Sequence, residues 1–320
     1  MLPALGPWPH NYYAIDDTFV EVAFEDTTGN VRRINVRHKA IGDGPTLILV
    51  HGLMSSSYSW RYVLEPLSKR YRVLAPDLVG AGSTDKPLDL EYSVENMARF
   101  IAEYVRTVAR EPVYLVGNSL GGLYGLRAIM LDDGGPKIAR RYVLMHAPGY
   151  PMLRVQAMNT LLGAPLLGAT LAKGVAATAH KFAHTFVAKN VHYARKDMLS
   201  EEEVAETGRL FETLEGAKVF ARILTESLDP NEHARIIADL RDRKARNVPL
   251  PCPIRILFAR KDVMVPPSFG PLFHADLPGS ELVWLDDTSH FLQCDSPEET
   301  VAELFSFDRP ASETVAAASS

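Results

Sequence analysis

Three side chains of the sequence have types and an order that suit nucleophilic catalysis. Ser119 lies in the pattern Gly-x-Ser-x-Gly, Asp262 follows the apolar run 256–259, and His290 follows another at 282–285. A serine hydroxyl is a weak nucleophile, so a neutral imidazole must take its proton and a carboxylate must orient that imidazole. We therefore predict Ser119 as the nucleophile, His290 as the general base and Asp262 as the acid that orients it.

The context of Ser119 makes the pattern more specific than its letters. A strand at 113–116 precedes it and a helix at 120–131 follows, which is the setting of a nucleophile elbow. Glycines on either side allow the sharp turn that exposes the hydroxyl. The tetrahedral intermediate needs backbone donors, and the N–H of Leu120, directly after the nucleophile, is predicted to be one of them.

The elements that must position these groups alternate along the chain. A hairpin is predicted over 19–24 and 31–39. Strands and helices then alternate, which predicts parallel strands with helical crossovers and a ligand site at the carboxyl ends of the strands. The predicted strands cover 46–50, 71–75, 113–116, 142–145, 254–258 and 281–285, and the predicted helices cover 94–108, 120–131, 268–275 and 297–305.

The alternation stops after Pro148, and residues 150–247 show only helical patterns. It returns at the proline-rich stretch 249–253. We therefore divide the chain into a first core part (1–149), a helical cap (150–248), a second core part (249–308) and a small, polar, flexible tail (309–320).

Taken together, these motifs resemble the α/β-hydrolase superfamily over residues 20–308. The resemblance rests on His51-Gly52, the run 77–83, the elbow around Ser119, and the order of Asp262 and His290. It implies an α/β fold with a mostly parallel eight-stranded sheet, helices on both faces and an inserted helical cap. It also implies that the N–H of Leu53 is the second oxyanion donor and that Asp77 braces the loops. In some branches the acid follows the strand at 142–145, but residues 146–149 offer no carboxylate.

The nucleophile narrows the reaction. Haloalkane dehalogenases and epoxide hydrolases of this superfamily use an aspartate where this chain has Ser119, so we exclude both reactions. We expect a serine hydrolase of the carboxylesterase kind, acting on carboxylic esters or thioesters. Carbon–carbon bond hydrolases of aromatic degradation carry a Gly-Asn-Ser elbow similar to 117–119 and are the alternative; residues 51–57, however, contain a serine run where those enzymes tend to carry glycines. A non-catalytic binding protein on the same fold is a third reading, against which the complete triad argues.

The first half of the cap is rich in leucine, and we expect most of these side chains to pack against the core. The remainder could line an acyl pocket or form an exposed patch, and a homodimer formed through the cap would cover such a patch. An apolar pocket predicts a small hydrophobic ester-like substrate. The residues concerned are Leu153, Leu161, Leu162, Pro165, Leu166, Leu167 and Leu171.

Composition excludes other classes of function. The net charge of -5 gives no reason to expect nucleic acid as a partner. Cys252 and Cys294, the only two cysteines, are too few for a disulfide framework or a zinc site, and no metal or organic cofactor is expected. No apolar run is long enough to span a bilayer, and the proline-containing N-terminus is unlike a signal peptide. The sequence therefore favours a cytoplasmic enzyme.

Overall fold

A computed structural model describes residues 2–132, 137–162 and 167–308 of the chain. The predicted tail at 309–320 and the apolar residues Pro165 and Leu166 lie outside the described residues. Eight strands form one sheet in the order β1-β2-β4-β3-β5-β6-β7-β8. The strands are β1 (Asp17–Glu25), β2 (Val31–Ile41), β3 (Thr46–Val50), β4 (Arg72–Pro76), β5 (Val113–Asn118), β6 (Ala139–Met145), β7 (Ile254–Ala259) and β8 (Glu281–Leu285).

The pairing of the strands is mostly parallel, as predicted. Only the β1–β2 hairpin and its junction with β4 are antiparallel. All pairs from β4 to β8 are parallel. The carboxyl ends of β3, β5, β6, β7 and β8 therefore meet at one edge of the sheet, which places the loops that follow them side by side.

Twelve α-helices are present within the described ranges, and α2 and α3 have the bounds predicted from the sequence. The helices are α1 (Leu64–Ser68), α2 (Val94–Val108), α3 (Leu120–Leu131), α4 (Leu153–Leu162), α5 (Leu167–Lys181), α6 (Ala183–Asn190), α7 (Glu201–Gly208), α8 (Leu214–Glu226), α9 (Pro230–Ala245), α10 (Phe269–Asp276), α11 (Leu292–Asp295) and α12 (Pro297–Phe307).

Both faces of the sheet are covered, and β3 shows why its sequence is continuously apolar. Ile48 and Val50 belong to the hydrophobic cluster that includes residues of α2 and α3. Leu47 and Leu49 point to the opposite face and belong to the cluster that includes residues of α1 and α12. Successive side chains of a strand alternate between faces, so a strand buried on both faces needs apolar residues at every position.

Helices α4–α9 follow one another between β6 and β7 and are fastened to the sheet-bearing part by buried polar contacts. Arg61, after β3, lies 2.5 Å from the carboxylate of Glu203 on α7, and both side chains are almost fully buried. The carboxylate of Glu232 on α9 accepts the backbone N–H groups of Val94 and Glu95, at 2.9 Å each. These N–H groups lie at the start of α2, where a helix leaves its first donors unpaired. Glu232 therefore supplies the acceptors that the first N–H groups of α2 lack within their own helix.

The expectation that the leucines at 153–171 pack against the core is wrong for three of them. Leu153 is 85 % exposed, Leu161 is 55 % exposed and Leu171 is 37 % exposed. The apolar residues of α4 are spread around its circumference and do not form a single apolar face. The sequence therefore does not indicate which side of this helix is buried. The side chains of Leu162 and of residues 165–167 are outside what the structure describes. No helix in the described part of the chain is long and apolar enough to cross a membrane.

Candidate active site

Ser119 stands in the sharp turn between β5 and α3. Its backbone has φ 57° and ψ -127°, a region that non-glycine residues rarely adopt and that costs about 1–3 kcal/mol. Its N–H donates to the carbonyl of Met145 at 2.8 Å, which ties the turn to the end of β6. The turn therefore holds Ser119 in a conformation that the surrounding structure imposes, as the Gly-x-Ser-x-Gly pattern predicts.

Gly117 and Gly121 permit this turn because no side chain fits at either position. A β-carbon on Gly121 would stand 2.4 Å from the carbonyl oxygen of His51, and one on Gly117 would stand 2.4 Å from the carbonyl oxygen of Gly121. Both contacts are with backbone, which cannot move aside as a flexible side chain would. Glycine is therefore required on both sides of Ser119 for α3 to pack against β3 and β5.

Asp262 and His290 meet although 28 residues separate them. Asp262 lies three residues beyond β7 and His290 follows β8, the neighbouring strand. The Nδ1 atom of His290 donates to Oδ2 of Asp262 at 2.8 Å, with both side chains buried. The other oxygen, Oδ1, accepts the backbone N–H groups of Met264 and Val265 at 2.6 and 3.0 Å. Because Nδ1 of His290 is bonded to Asp262, Nε2 is the ring nitrogen that is free to act as a base.

His146 is a buried neighbour of Asp262 that the sequence did not single out. It follows β6 directly, and its Nδ1 lies 2.7 Å from Oδ2 of Asp262, with both side chains at zero exposure. Its ring centroid lies 5.4 Å from that of His290 and 5.0 Å from that of Phe258. The residues 146–149 contain no carboxylate, and a lone histidine after a strand carries no sequence signal that would have revealed this contact.

The charge state of this cluster follows from its burial and its contacts. Burial opposes ionisation of Asp262, but the neighbouring imidazoles of His290 and His146 outweigh it and hold the pKa of the carboxyl well below its usual range. Burial lowers the pKa of the His146 imidazole, although Asp262 opposes that shift. Asp262 is therefore a carboxylate and His146 a neutral ring at neutral pH.

The loop after β3 lies against Ser119 and contains Leu53, the predicted second oxyanion donor. His51 fixes this loop, because its Nε2 accepts the N–H of Leu78 at 3.0 Å and its Nδ1 bonds the carbonyl of Gly52 at 2.8 Å. Burial lowers the pKa of His51, so the ring is neutral and donates from Nδ1 only. The sequence drew attention to His51 only as part of a motif and did not give it this role.

Asp77, which the resemblance implied to be a brace, contacts two loops and a buried arginine in the described part of the chain. Its carboxylate accepts the N–H of Ser57 at 2.9 Å and that of Ser83 at 2.8 Å, and it pairs with Arg37 at 3.1 Å. It holds the loops after β3 and β4 together. No atom of Asp77 lines the cavity described below.

His146, Asp262 and His290 are also the one group, among the residues that the structure describes, with the composition of a metal site. Their ligand atoms lie within 4.8 Å of one another. The two nitrogen–oxygen separations of 2.7 and 2.8 Å are hydrogen-bond lengths, which require a proton between the atoms. His290 and Asp262 therefore form a hydrogen bond, and His146 lies in close contact with the same carboxylate.

Ser119 and His290 face the same cavity of about 630 Å³. Leu53 and Leu120, the predicted oxyanion residues, line it as well. Its walls come from both the sheet-bearing part and helices α4–α9, and they are largely apolar. The apolar wall includes Met152, Val155, Met158, Phe186, Phe220 and Leu224.

A larger cleft, of about 1320 Å³, lies between α2, α4 and α9 and is lined mainly by polar residues. It contains none of Ser119, Asp262 and His290. Reactive groups and not volume define an active site, so we place the candidate site in the smaller cavity.

Comparison with known proteins agrees with this fold. A model of the alpha/beta hydrolase family matches residues 47–304. An uncharacterised hydrolase of Bacillus subtilis is 26% identical over 260 residues, covering 79% of this chain and 86% of its own. The 2-hydroxy-6-oxo-2,4-heptadienoate hydrolase of Pseudomonas putida is 35% identical over 126 residues, 38% of this chain and 45% of its own. The structure of an epoxide hydrolase superposes with a TM-score of 0.71 at 18% identity, covering 91% of this chain and 98% of that one.

These matches define the class of protein. The family model covers most of the chain, so the chain belongs to the alpha/beta hydrolase family. The epoxide hydrolase shares the fold, and its low identity carries no argument about the reaction.

Proposed function

We propose that this protein is a serine hydrolase that cleaves carboxylic ester or thioester bonds of a small hydrophobic substrate through an acyl-enzyme on Ser119. The observation that supports this most strongly is that the Ser119 turn and the His290–Asp262 pair meet at one cavity. Ser119 occupies a strained turn, and His290, which lines the same cavity, is bonded through Nδ1 to the buried carboxylate of Asp262.

In the proposed reaction each residue has one role. Nε2 of His290 takes the proton of Ser119 as Oγ attacks the carbonyl carbon, and it returns that proton to the leaving alcohol or thiol. Asp262 orients the ring and stabilises the imidazolium without taking the proton. The backbone N–H groups of Leu53 and Leu120 stabilise the oxyanion, each contributing about 3–4 kcal/mol to catalysis. Water then hydrolyses the acyl-enzyme with the same base.

The helices from 150 to 248 are proposed to act as a cap that shapes the substrate. Their residues Met152, Met158, Phe186 and Phe220 supply apolar cavity wall opposite Ser119. A cavity of about 630 Å³ is in the range of small-molecule sites, and apolar walls favour substrates with a hydrophobic acyl or alcohol part.

The test is hydrolysis of p-nitrophenyl esters from acetyl to palmitoyl by the wild type and by Ser119→Ala. We expect the wild type to cleave esters of short to medium chain and the variant to lose at least about 10⁴-fold in kcat. A serine-directed fluorophosphonate should label the wild type on Ser119 only, as detected by peptide mass spectrometry. A wild type that cleaves no ester and is not labelled would refute the proposal.

Carbon–carbon bond hydrolysis is the second candidate. It is favoured by the similarity to the Pseudomonas hydrolase and by the Gly-Asn-Ser elbow at 117–119, which resembles that of carbon–carbon bond hydrolases. A wild type that reacts with the fluorophosphonate but cleaves a 2-hydroxy-6-oxo-dienoate much faster than any ester would decide for this candidate.

A further inference from the structure

Asp262 lies between two imidazoles, and only one of them belongs to the proposed triad. His290 approaches Oδ2 from the loop after β8, and His146 approaches the same oxygen from the end of β6. His146 does not line the cavity, so it cannot touch a substrate there. Any effect of His146 on the reaction must therefore pass through Asp262.

The backbone holds His146 in an unusual conformation for this contact. Its φ is +47°, in the left-handed region that non-glycine residues seldom adopt. Its N–H donates to the carbonyl of Leu257 at 3.2 Å, which extends the β6–β7 ladder by one residue. The ladder and the turn together aim the ring at Asp262.

The chemistry of the contact fixes the tautomer of His146. A ring nitrogen 2.7 Å from a carboxylate oxygen must carry a proton, because two lone pairs at that distance would repel each other. Nε2 is buried and has no hydrogen-bond partner among the described residues, so a proton placed there would be an unpaired donor. Within the described residues Nδ1 is not aligned with Oδ2 of Asp262 well enough for hydrogen-bond geometry, unlike Nδ1 of His290. A proton on Nδ1 nevertheless has an acceptor at 2.7 Å, whereas a proton on Nε2 has none.

The remaining neighbours of the His146 ring compete little with Asp262 for its Nδ1 proton. Phe258 packs against it from β7 and His290 from the loop after β8. Asp295 on α11 is the other charged group near it, and its carboxylate is engaged by the N–H and hydroxyl of Ser289. Asp262 is thus the acceptor that the structure places within hydrogen-bond distance of the ring.

We propose that His146 is a positioning residue, whose Nδ1–H donates to Asp262 and holds its carboxylate in place for His290. This inference rests on the proposed triad and deepens it. A neutral second donor fixes the Asp262 carboxylate without adding charge. Because this donor also draws electron density from the carboxylate, Asp262 stabilises the His290 imidazolium less than it would without His146. Loss of the donor should misplace the acid and, at the same time, let His290 keep its proton to higher pH.

The experiment measures the rate at which a fluorophosphonate labels Ser119 as a function of pH, which requires the triad but no knowledge of the substrate. His146→Leu removes the donor, whereas His146→Asn keeps an N–H near the place of Nδ1 and tolerates a positive φ. We expect His146→Leu to lower the plateau rate about tenfold, the effect of one positioning hydrogen bond. Its acidic limb should move to higher pH, and His146→Asn should restore most of both changes.

His38→Leu is the matched control, because His38 is a buried histidine on β2, five strand positions from β7 in the sheet. It should leave both plateau and limb unchanged. The inference is overturned if His146→Leu labels like the wild type, or if His146→Asn behaves like His146→Leu while both variants are folded by circular dichroism.

Proton spectra of ¹⁵N-histidine-labelled protein decide the inference even if a variant does not fold or Ser119 does not react. We expect two low-field Nδ1 protons, of which His290→Ala removes one and leaves the signal of His146. A single such proton, lost in His290→Ala, would overturn the role of His146. An unreactive Ser119 together with two such protons would instead refute the proposed function and leave the contact of His146 with Asp262 standing.

Discussion

A β-carbon on Gly52 would stand 2.7 Å from the β-carbon of Ser119, closer than two carbon atoms can pack. The loop that carries Leu53 therefore lies directly against the nucleophile, with only hydrogen between them. The loop after β3 and the turn after β5 are therefore in contact, and no side chain fits at position 52 unless one of them moves.

Gly52→Ala is expected to lower kcat by about 10²–10³, the effect of losing one oxyanion donor. The new methyl group must push the loop away from Ser119 and from the carbonyl of Asn118, at 3.1 Å, and Leu53 moves with it. KM should change much less, because the cavity wall is mostly formed by other residues. The measurement is steady-state kinetics with a short p-nitrophenyl ester, beside thermal unfolding.

Gly208→Ala is the control for Gly52→Ala. Gly208 ends α7, and a β-carbon there would meet nothing within 4 Å. We expect normal kcat in this variant. Full activity in a folded Gly52→Ala protein would show that Leu53 is not an oxyanion donor.

Asp262→Asn is expected to lower kcat by about 10⁴ with little change in fold. The N–H groups of Met264 and Val265 keep the amide oxygen at the place of Oδ1, so the amide NH2 faces Nδ1 of His290 and donates to it. The ring proton then lies on Nε2, and the imidazole cannot act as a base. Steady-state kinetics on the best ester provide the measurement, with circular dichroism as the check on folding.

The neighbouring Asp286→Asn tests whether loss of any carboxylate in this region has the same effect. Asp286 is 76% exposed and pairs with Arg260 on the surface. Because exposed ion pairs contribute little, this variant should behave as the wild type. Equal losses in the two variants would remove Asp262 from the triad.

Much of the fold could be predicted because its signals are local. Ser93 caps α2 by accepting the N–H of Asn96, and the apolar face of that helix gives its bounds. Strand β3 was recognised from its unbroken apolar run, which reflects burial on both faces. The contact between Asp262 and His290 is predictable from their positions after strands, since parallel strands bring their carboxyl ends together.

The contacts of His146 and His51 could not be predicted, because they depend on side-chain geometry between distant parts of the chain. The pairing of His146 with Asp262 needs both the positive φ at 146 and the β6–β7 register. The exposure of Leu153 and Leu161 was missed for a related reason. A helix whose apolar and polar residues are mixed around its circumference does not reveal which side will face the core.

His38 is expected to make the protein less stable in mild acid. It is buried on β2, its Nδ1 has no partner among the described residues, and burial lowers the pKa of its imidazole to about 4. An unfolded histidine takes a proton below about pH 6.5. Between about pH 6.5 and pH 4 the unfolded state therefore binds a proton that the folded state refuses, so the free energy of unfolding falls as the pH falls.

His38→Phe removes this dependence and keeps a ring beside Tyr104, whose centroid lies 5.9 Å away. From pH 7 to pH 5 the wild type should lose about 2 kcal/mol more free energy of unfolding than the variant. Urea unfolding at both pH values gives the two differences. Parallel losses in wild type and variant would mean that His38 is protonated in the folded state.

Met158→Trp is expected to shorten the acyl chain that the enzyme accepts. Met158 lies on α4 and lines the cavity with Ser119, so a larger side chain there takes space from the far end of a substrate. Each methylene that loses its apolar site costs about 0.8 kcal/mol, or about fourfold in kcat/KM. The ratio of kcat/KM for octanoyl over acetyl p-nitrophenyl ester should therefore fall at least about tenfold.

Leu161→Trp, on the same helix but exposed and outside the cavity lining, should leave that ratio unchanged. If both variants keep the wild-type ratio, the acyl chain does not lie against α4.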